Sequence, residues 1–157
     1  MDLPPDEALE RAWLADDTSA VIEALRRGAN PNLRLNNAPV LYTAAVLGRE
    51  SLVRALLDSG ADADARHEND ESTALMAVAT LGIPGTHDGI LHALVSHGAE
   101  VNARDREGNT ALDFAVSAGN LRSATVLLAH GATGKKQTLV ECERLRDEAR
   151  QAGDRGI

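Results

Sequence analysis

The chain has 157 residues, a formal net charge of −8 at pH 7 and an aromatic content of 2%. Affinity for nucleic acids depends mainly on Lys and Arg side chains that neutralise phosphates, so the acidic balance argues against a nucleic-acid partner and favours a basic or neutral partner protein. The low aromatic fraction favours closely stacked helices over a β-sandwich or barrel. A single cysteine, Cys142, excludes an internal disulfide.

The sequence carries no signal for a membrane or for export. Its longest apolar runs fall short of the roughly 18 residues that a membrane span needs. The first seven residues lack both the basic region and the apolar region of a signal peptide. We therefore predict a cytoplasmic, monomeric protein that does not contact a membrane.

An amphipathic segment that ends in a glycine recurs along the chain. Its terminal glycines are Gly28, Gly60, Gly98 and Gly131, which lie 32, 38 and 33 residues apart. A period near 33 residues is typical of a solenoid built from helical repeats. The pattern predicts an all-α solenoid in one domain over residues 1–157, with units at about 6–37, 38–70, 71–107 and 108–134.

The first unit begins after Pro4-Pro5, where Asp6 is in position to cap the N-terminus of a first helix. A break at residues 16–19 precedes a second helix over about 19–27. That helix ends in two arginines and Gly28, which is typical of a C-terminus closed by a left-handed glycine.

The second and third units follow the same order with local changes. Pro39 fits only the first turn of a helix. The third unit is longer by about four residues, because residues 82–88 lie between its two helices, and Pro84 makes that insertion an irregular loop. The second helix of the second unit carries one apolar face, formed by Leu52, Val53, Leu56 and Leu57.

The repeat pattern stops after Gly134. Thr138 and Glu141 form a capping-box signature, which predicts a helix over about 138–151. This helix is charged apart from one apolar stripe, so we expect it to cap the end of the solenoid. The stripe consists of Leu139, Cys142, Leu145 and Ala149.

These units resemble ankyrin repeats. The first-helix opening of that family is matched by Thr73-Ala74-Leu75-Met76-Ala77 and Thr110-Ala111-Leu112-Asp113-Phe114, its turn by Gly60 to Ala65 and Gly98 to Ala103, and its corner glycine by Gly48, Gly82 and Gly119. The match covers about residues 6–134 and repeats in register, which makes it highly specific. It implies helix-turn-helix units joined by hairpin-like turns and a non-enzymatic protein that binds another protein. The Ala-, Arg- and Asp-rich composition favours a bacterial source.

The chain departs from the family at the first-helix histidine, which bonds between units. The residues in its place are Glu10, Tyr42, Met76 and Asp113. The resemblance therefore does not predict the usual hydrogen bonds between units here.

The residues predict no catalytic, metal or cofactor site. No two histidines show the i, i+4 spacing of a zinc helix, and the chain has no cysteine pair. His97 and His130 each precede a helix-terminal glycine, where a cation favours the helix dipole. Asp62 and Asp64 alternate as calcium ligands do, but their turn lacks the glycine and closing glutamate of a calcium loop, which favours a turn role. We conclude that the chain is not an enzyme.

Asn102 has two interpretations. Its context resembles the ankyrin turns that asparaginyl hydroxylases modify in animals. The alternative, which we favour, is that its side chain stabilises the turn by hydrogen bonds to the backbone.

The resemblance implies that the partner lies in a concave groove made by the first helices and the turn tips. The implied partner-binding residues on the first helices are Leu14, Val46, Leu47, Thr80, Leu81 and Ser117, and those at the tips are His67, Glu68, Asn69, Asp70, Glu71, Arg106, Glu107 and Asn109. The four aliphatic residues would form an exposed strip typical of interaction sites, or they pack against the neighbouring turns. The acidic tip at 67–71 would attract a basic partner, or it is a solvated loop.

Three functions follow in order of preference. The first is an interaction module that binds a protein through its groove. The second is a dedicated inhibitor or immunity protein for one enzyme, which the small size and acidic charge favour. The least favoured is an enzyme whose site a partner completes.

Overall fold

The computed structural model describes residues 3–81 and 87–154, and within those ranges the chain forms nine α-helices and one short β-hairpin. Residues 82–86 of the predicted insertion lie outside the described residues. The elements are α1 (Pro5–Leu14), α2 (Thr18–Arg26), β1 (Arg34–Leu35), β2 (Ala38–Pro39), α3 (Val40–Val46), α4 (Glu50–Asp58), α5 (Ala74–Thr80), α6 (His87–Ser96), α7 (Ala111–Ser117), α8 (Leu121–Ala129) and α9 (Lys136–Asp154).

The helices form four pairs that stack in two rows. The pairs are α1 with α2, α3 with α4, α5 with α6 and α7 with α8. The first helices α3, α5 and α7 contact one another in sequence, and so do the second helices α2, α4 and α6, while α9 packs on both α7 and α8. The all-α repeat solenoid predicted from the glycine period is confirmed.

The core is built from small and aliphatic side chains, as the composition predicts. Ala44, Ala45, Ala79 and Ala115 are fully buried on the first helices, where a small side chain lets neighbouring helices approach closely. The predicted apolar face of α4 is buried as well, with Leu57 the most exposed of its members at 5%. Each fully buried leucine stabilises the fold by roughly 1.5–3 kcal/mol.

All four second helices end in the same glycine-closed geometry. The four terminal glycines have φ between 79° and 93°. At α4, for example, the Gly60 amide donates to the Leu57 carbonyl at 3.0 Å and the Ala61 amide donates to the Leu56 carbonyl at 2.9 Å. This pair of bonds is the Schellman motif, which needs a left-handed residue that glycine adopts without steric cost.

Two predicted helix starts are wrong by one or two residues. Pro4 rather than Asp6 precedes α1, since Pro5 fits the first helical position, and the Asp6 carboxylate accepts from the Asn30 amide at 2.6 Å instead. Pro39 lies just before α3 rather than in its first turn.

The helix α6 begins earlier than the predicted insertion allows. His87 and Asp88, which the sequence analysis placed in the irregular loop, are the first two residues of this helix. An acidic residue in the first turn favours the helix dipole. Asp88 also forms an ion pair with Arg122 of α8 at 3.0 Å.

The terminal helix α9 is longer than predicted at both ends, since it runs over Lys136–Asp154 rather than 138–151. Thr138 lies inside the helix, so the capping-box prediction is wrong. Of the predicted apolar stripe, Cys142 and Leu145 pack against the core, but Leu139 is 40% exposed. The side chain of Ala149 lies outside the described residues.

Asn and Asp side chains link the turns of successive units. A side chain four residues after one terminal glycine accepts a hydrogen bond from the amide two residues after the next terminal glycine. The pairs are Asn32 with the Asp62 amide at 2.7 Å, Asp64 with the Glu100 amide at 2.8 Å and Asn102 with the Thr133 amide at 2.6 Å. We call this set the Asx ladder. It supports the turn role favoured above for Asp64 and Asn102.

Arginine side chains form a second link between the units. Arg34 donates to the Arg66 carbonyl at 3.0 Å, and Arg66 donates in turn to the Arg104 carbonyl at 2.7 Å. Each of these arginines lies six residues after a terminal glycine. This arginine ladder satisfies backbone carbonyls that the short turns leave without a partner.

An imidazole links the second helices of the second and third units. His97 Nδ1 lies 2.8 Å from the Ala93 carbonyl and Nε2 lies 3.0 Å from Asp58 Oδ1. Because both neighbours only accept hydrogen bonds, the protonated ring satisfies both. The Ala93 carbonyl and the Asp58 carboxylate therefore raise the pKa of His97 above its ordinary value, and the link weakens as the pH rises through that raised pKa.

Asp113 replaces the missing histidine as a link between units. One carboxylate oxygen accepts from the Thr110 amide at 2.8 Å and the other from the Lys135 amide at 2.8 Å, and the Thr138 hydroxyl also donates to it. Burial by itself raises the pKa of Asp113, but the hydrogen bonds from Thr138, Thr110 and Lys135 outweigh it and lower the pKa below the ordinary value. Asp113 thus fixes α9 to α7.

We predict that Asp113→Asn lowers the free energy of unfolding by about 2 kcal/mol at neutral pH, because a buried charged acceptor is lost. A lowered folded pKa means that this contribution is present above the unfolded pKa and lost as the pH falls through the folded one. The measurement is urea unfolding followed by circular dichroism from pH 7 to pH 2. Asp147→Asn, on the exposed side of α9, is the control. A difference that persists unchanged at the lowest pH would contradict the account.

Candidate protein-binding groove

Each first helix exposes one side chain at the same position of the repeat, on the face that also carries the turn tips. These four positions define the groove. Their occupants in successive units are Leu14, Val46, Thr80 and Ser117, all of them exposed. Leu14 is 74% exposed, although it is a large aliphatic residue. The groove position therefore changes from apolar in the first two units to hydroxylic in the last two.

The next residue along each first helix continues the groove. Leu47 is 57% exposed, whereas Leu81 is only half-buried. The predicted strip of four aliphatic residues thus has three exposed members, and the packing alternative applies in part to Leu81. An exposed leucine contributes little to folding, so Leu14 and Leu47 are not explained by the core.

An aromatic depression of about 280 Å³ lies beside the apolar end of the groove. Trp13, Tyr42, Val46 and His67 are among its lining residues, and the Tyr42 and His67 rings lie 5.1 Å apart between centroids. The depression therefore brings together Val46, predicted on a first helix, and His67, predicted at a turn tip. Trp13 and Tyr42, the only Trp and Tyr of the chain, were not among the partner-binding residues predicted from the sequence.

A smaller depression of about 210 Å³ lies at the polar end of the groove. It joins the predicted residues Asn109 and Ser117 with Phe114 and Lys135. Phe114 is the only Phe of the chain, so each of the three aromatic residues lines a depression on the groove. Trp13 and Phe114 also pack against the hydrophobic core, so their scarcity is the one signal in the sequence that could have pointed to these depressions.

The acidic tip at 67–71 is partly neutralised within the chain. Glu68 lies 3.4 Å from Arg34 Nε, and Glu71 lies 3.7 Å from the Arg106 guanidinium. Arg106 also donates its backbone amide to the Asp70 carbonyl at 2.9 Å. The tips of successive units are therefore linked, and the negative field at this tip is weaker than the sequence implies.

Asp70 is held in its ionised form at the same tip. Burial raises the pKa of its carboxyl, and hydrogen bonds from the Ser72 amide and hydroxyl, at 3.1 and 2.8 Å, outweigh it and lower the pKa. Asn69 and Glu107 are exposed tip residues, and the Glu107 carboxylate accepts a hydrogen bond from the Asn109 side-chain amide at 3.4 Å.

Glu71 adopts a backbone conformation that is unfavourable for its residue type. Its φ is +60°, and the equivalent positions before the other first helices are Asn37 at +66° and Gly108 at +78°. Asn and Gly tolerate this left-handed region better than glutamate does. Strained residues of this kind cluster at functional sites, and Glu71 lies at the rim of the groove.

The described part of the chain offers no metal site and no membrane-spanning helix. Within residues 3–81 and 87–154, no group of three or more His, Cys, Asp or Glu side chains could hold a metal ion. In the same ranges, no helix is both long and apolar enough to cross a membrane. The groove combines hydroxyls, amides and paired charges with exposed apolar side chains, a mixture that is also found in protein interfaces.

A solenoid of paired helices with hairpin-like tips and an exposed first-helix face defines a helical-repeat binding protein. The model of the family described as ankyrin repeats (3 copies) matches this sequence over residues 9–105 and 41–138. The chain belongs to the ankyrin-repeat family, as its motifs predict. Ankyrin repeats are general protein–protein interaction modules, and the family is non-enzymatic.

Similar proteins from animals share the repeats but are much longer. One is the ankyrin repeat and KH domain-containing protein mask-1 of Caenorhabditis elegans, 34% identical over 75% of this chain and 5% of that protein. Another is the ankyrin repeat, SAM and basic leucine zipper domain-containing protein 1 of Ornithorhynchus anatinus, 32% identical over 80% of this chain and 26% of that protein. The neurogenic locus notch homolog protein 1 of Mus musculus is 31% identical over 84% of this chain and 5% of that protein. The chain thus spans about a quarter or less of these relatives.

We predict that Glu71→Gly raises the free energy of unfolding by about 0.5–1 kcal/mol, because glycine removes the left-handed strain at a smaller entropic cost. Glu68→Gly is the matched control: it removes an equally exposed acid at a position without positive φ and should lower stability. Urea unfolding of both variants measures the difference. Equal destabilisation by the two changes would show that Glu71 is not strained.

Proposed function

We propose that this chain binds another protein in the groove, with Leu14, Val46, Leu47 and the aromatic depression as the main anchors. The proposal rests on the exposure of Leu14 and Leu47, which at 74% and 57% are the most exposed large aliphatic residues in the described part of the repeat units, ahead of Leu128 at 39%. Exposed aliphatic residues beside aromatic rings and within a polar rim are typical of interface centres.

The partner segment has an apolar end and a polar end. In the groove, the apolar end would contact the first two units, and its apolar or aromatic side chain would enter the depression beside Tyr42. Its polar end would lie along Thr80 and Ser117, where hydroxyl groups offer hydrogen bonds. Arg106, Glu107 and Asn109 would contact the same end from the tips, and His67, Asn69 and Glu71 would frame the middle.

We also propose that the partner protein has a basic surface. Ion pairs with Arg34 and Arg106 weaken the local field of the acidic tip. The net charge of −8 still favours encounter with a basic protein at low ionic strength.

We also propose that the protein is located in the cytoplasm of a bacterium, and, as a second candidate function, that it is the dedicated inhibitor of one enzyme. Protection of cells by co-expression against a toxic or hydrolytic protein would support the inhibitor role, and no protection would oppose it.

We predict that Leu47→Glu lowers partner affinity at least about tenfold, because it places a charge at an apolar anchor. Partners are first captured from the native cell with the wild-type chain and identified by mass spectrometry. The dissociation constant of the leading partner is then measured by titration calorimetry with each variant.

Val140→Glu provides the matched control, since Val140 is a 61% exposed aliphatic residue on α9, away from the groove. Its affinity for the partner should equal that of the wild type. Unchanged affinity of a folded Leu47→Glu chain would refute the groove as the binding surface.

A further inference from the structure

A second apolar surface lies away from the groove, in a cleft between α8 and α9. The cleft has a volume of about 480 Å³. Its walls are Leu121, Thr125 and Leu128 on α8 and Leu139, Cys142, Glu143 and Arg146 on α9. We call it the C-terminal cleft.

The C-terminal cleft lies on one side of α8. The corresponding side of the second helices in the first two units is covered by the next unit. Three residues before the terminal glycine, Leu25 and Leu57 are only 6% and 5% exposed and Val95 is half-buried, whereas Leu128 at the equivalent position is 39% exposed. The second helices α2 and α4 each pack on the next second helix, while α9 packs on α7 as well as on α8. A surface built for helix packing is therefore left open, and Leu139 is 40% exposed opposite Leu128.

The charges at the rim of the cleft show what could cover it. Glu143 and Arg146 are both exposed, and among the described residues neither forms an ion pair within the chain. Arg144, by contrast, pairs with both Glu141 and Glu148 along the same helix. Within residues 3–81 and 87–154, the cleft thus presents one acid and one base that form no ion pair, three residues apart on one face of α9.

We propose that the C-terminal cleft is covered by the same cleft of a second copy, so that the chain forms a two-fold symmetric dimer. A two-fold interface must be complementary to itself. Two α9 helices that run antiparallel about an axis between Arg144 and Leu145 place Glu143 of each copy opposite Arg146 of the other. The two ion pairs then flank the apolar side chains of both clefts. At about 1.5 Å per residue, the 19 residues of α9 provide a contact line of about 28 Å.

The dimer differs from the monomer that the sequence predicts, and it does not depend on the proposed groove function. The groove lies on the first-helix face and the cleft at the end of the solenoid, so both surfaces can be occupied together. A dimer presents two grooves, which would raise the avidity for a partner with two binding segments.

The test is sedimentation velocity of the full chain over a concentration series, with a charge-exchange cycle. The wild type should dimerise, Glu143→Arg and Arg146→Glu should each weaken dimerisation by roughly tenfold or more through like-charge contacts, and the double variant should restore it. Circular dichroism melts keep loss of fold distinct from loss of association, since both positions are exposed.

Leu128→Glu and Leu14→Glu form the second comparison. Both place a charge on an exposed leucine, but only Leu128→Glu should prevent dimerisation, whereas Leu14→Glu should affect partner binding alone. A wild-type chain that stays monomeric at about 1 mM would overturn the dimer. A double charge variant that dimerises no better than the single ones would overturn the antiparallel arrangement.

Discussion

The structure depends on one constraint: no unit can bury its apolar face by itself, so each must pack against the next. Alanines on the first helices and leucines on the second ones make the stacking close. The polar backbone of the turns is brought together by the same stacking, and its amides and carbonyls need partners away from water. The Asx ladder supplies such partners at all three junctions between units and the arginine ladder at the first two, so packing and hydrogen bonding impose the same spacing on the repeats.

Stacking also determines where function can reside. Once the inward faces of both helix rows pack against neighbours, the free surfaces are the outer sides of the first and second helices, the turn tips and the end of the solenoid. The apolar residues that remain exposed are concentrated on two of these surfaces. Leu14 and Leu47 lie on the groove, and Leu128 and Leu139 lie at the C-terminal cleft. Ion pairs and hydrogen bonds of Arg34 and Arg106 link successive turn tips along the rim of the groove.

The fold could be predicted from the sequence because its signals are local and repeated. Four glycines at a near-constant spacing determine the ends of the second helices, and threonines mark the starts of two first helices. The boundaries that were wrong depend on competition between neighbours. Asp6 is in position to cap α1, but Pro5 begins the helix one residue earlier and the carboxylate bonds to Asn30. Thr138 has the pattern of a cap, but Asp113 uses its hydroxyl.

The candidate groove could be predicted only in outline. Equivalent positions in a repeat give the correct exposed residues, so Leu14, Val46 and Leu47 could be named without coordinates. The aromatic depression could not, because Trp13 and Tyr42 lie in different units and approach His67 only after stacking. Pairing of Glu68 and Glu71 with arginines of adjacent turns is likewise a tertiary property. The sequence shows their charges but not their partners.

The central claim is that the first-helix face, and not the second-helix face, contacts the partner. Photo-crosslinking in the native cell tests it most directly, with a benzophenone amino acid placed either at Leu14 or at Ser51, an exposed residue of α4. We expect the chain carrying the probe at position 14 to be trapped with one dominant protein and the chain carrying it at position 51 not to be trapped with it. Trapping of the same protein from position 51 alone would contradict the claim.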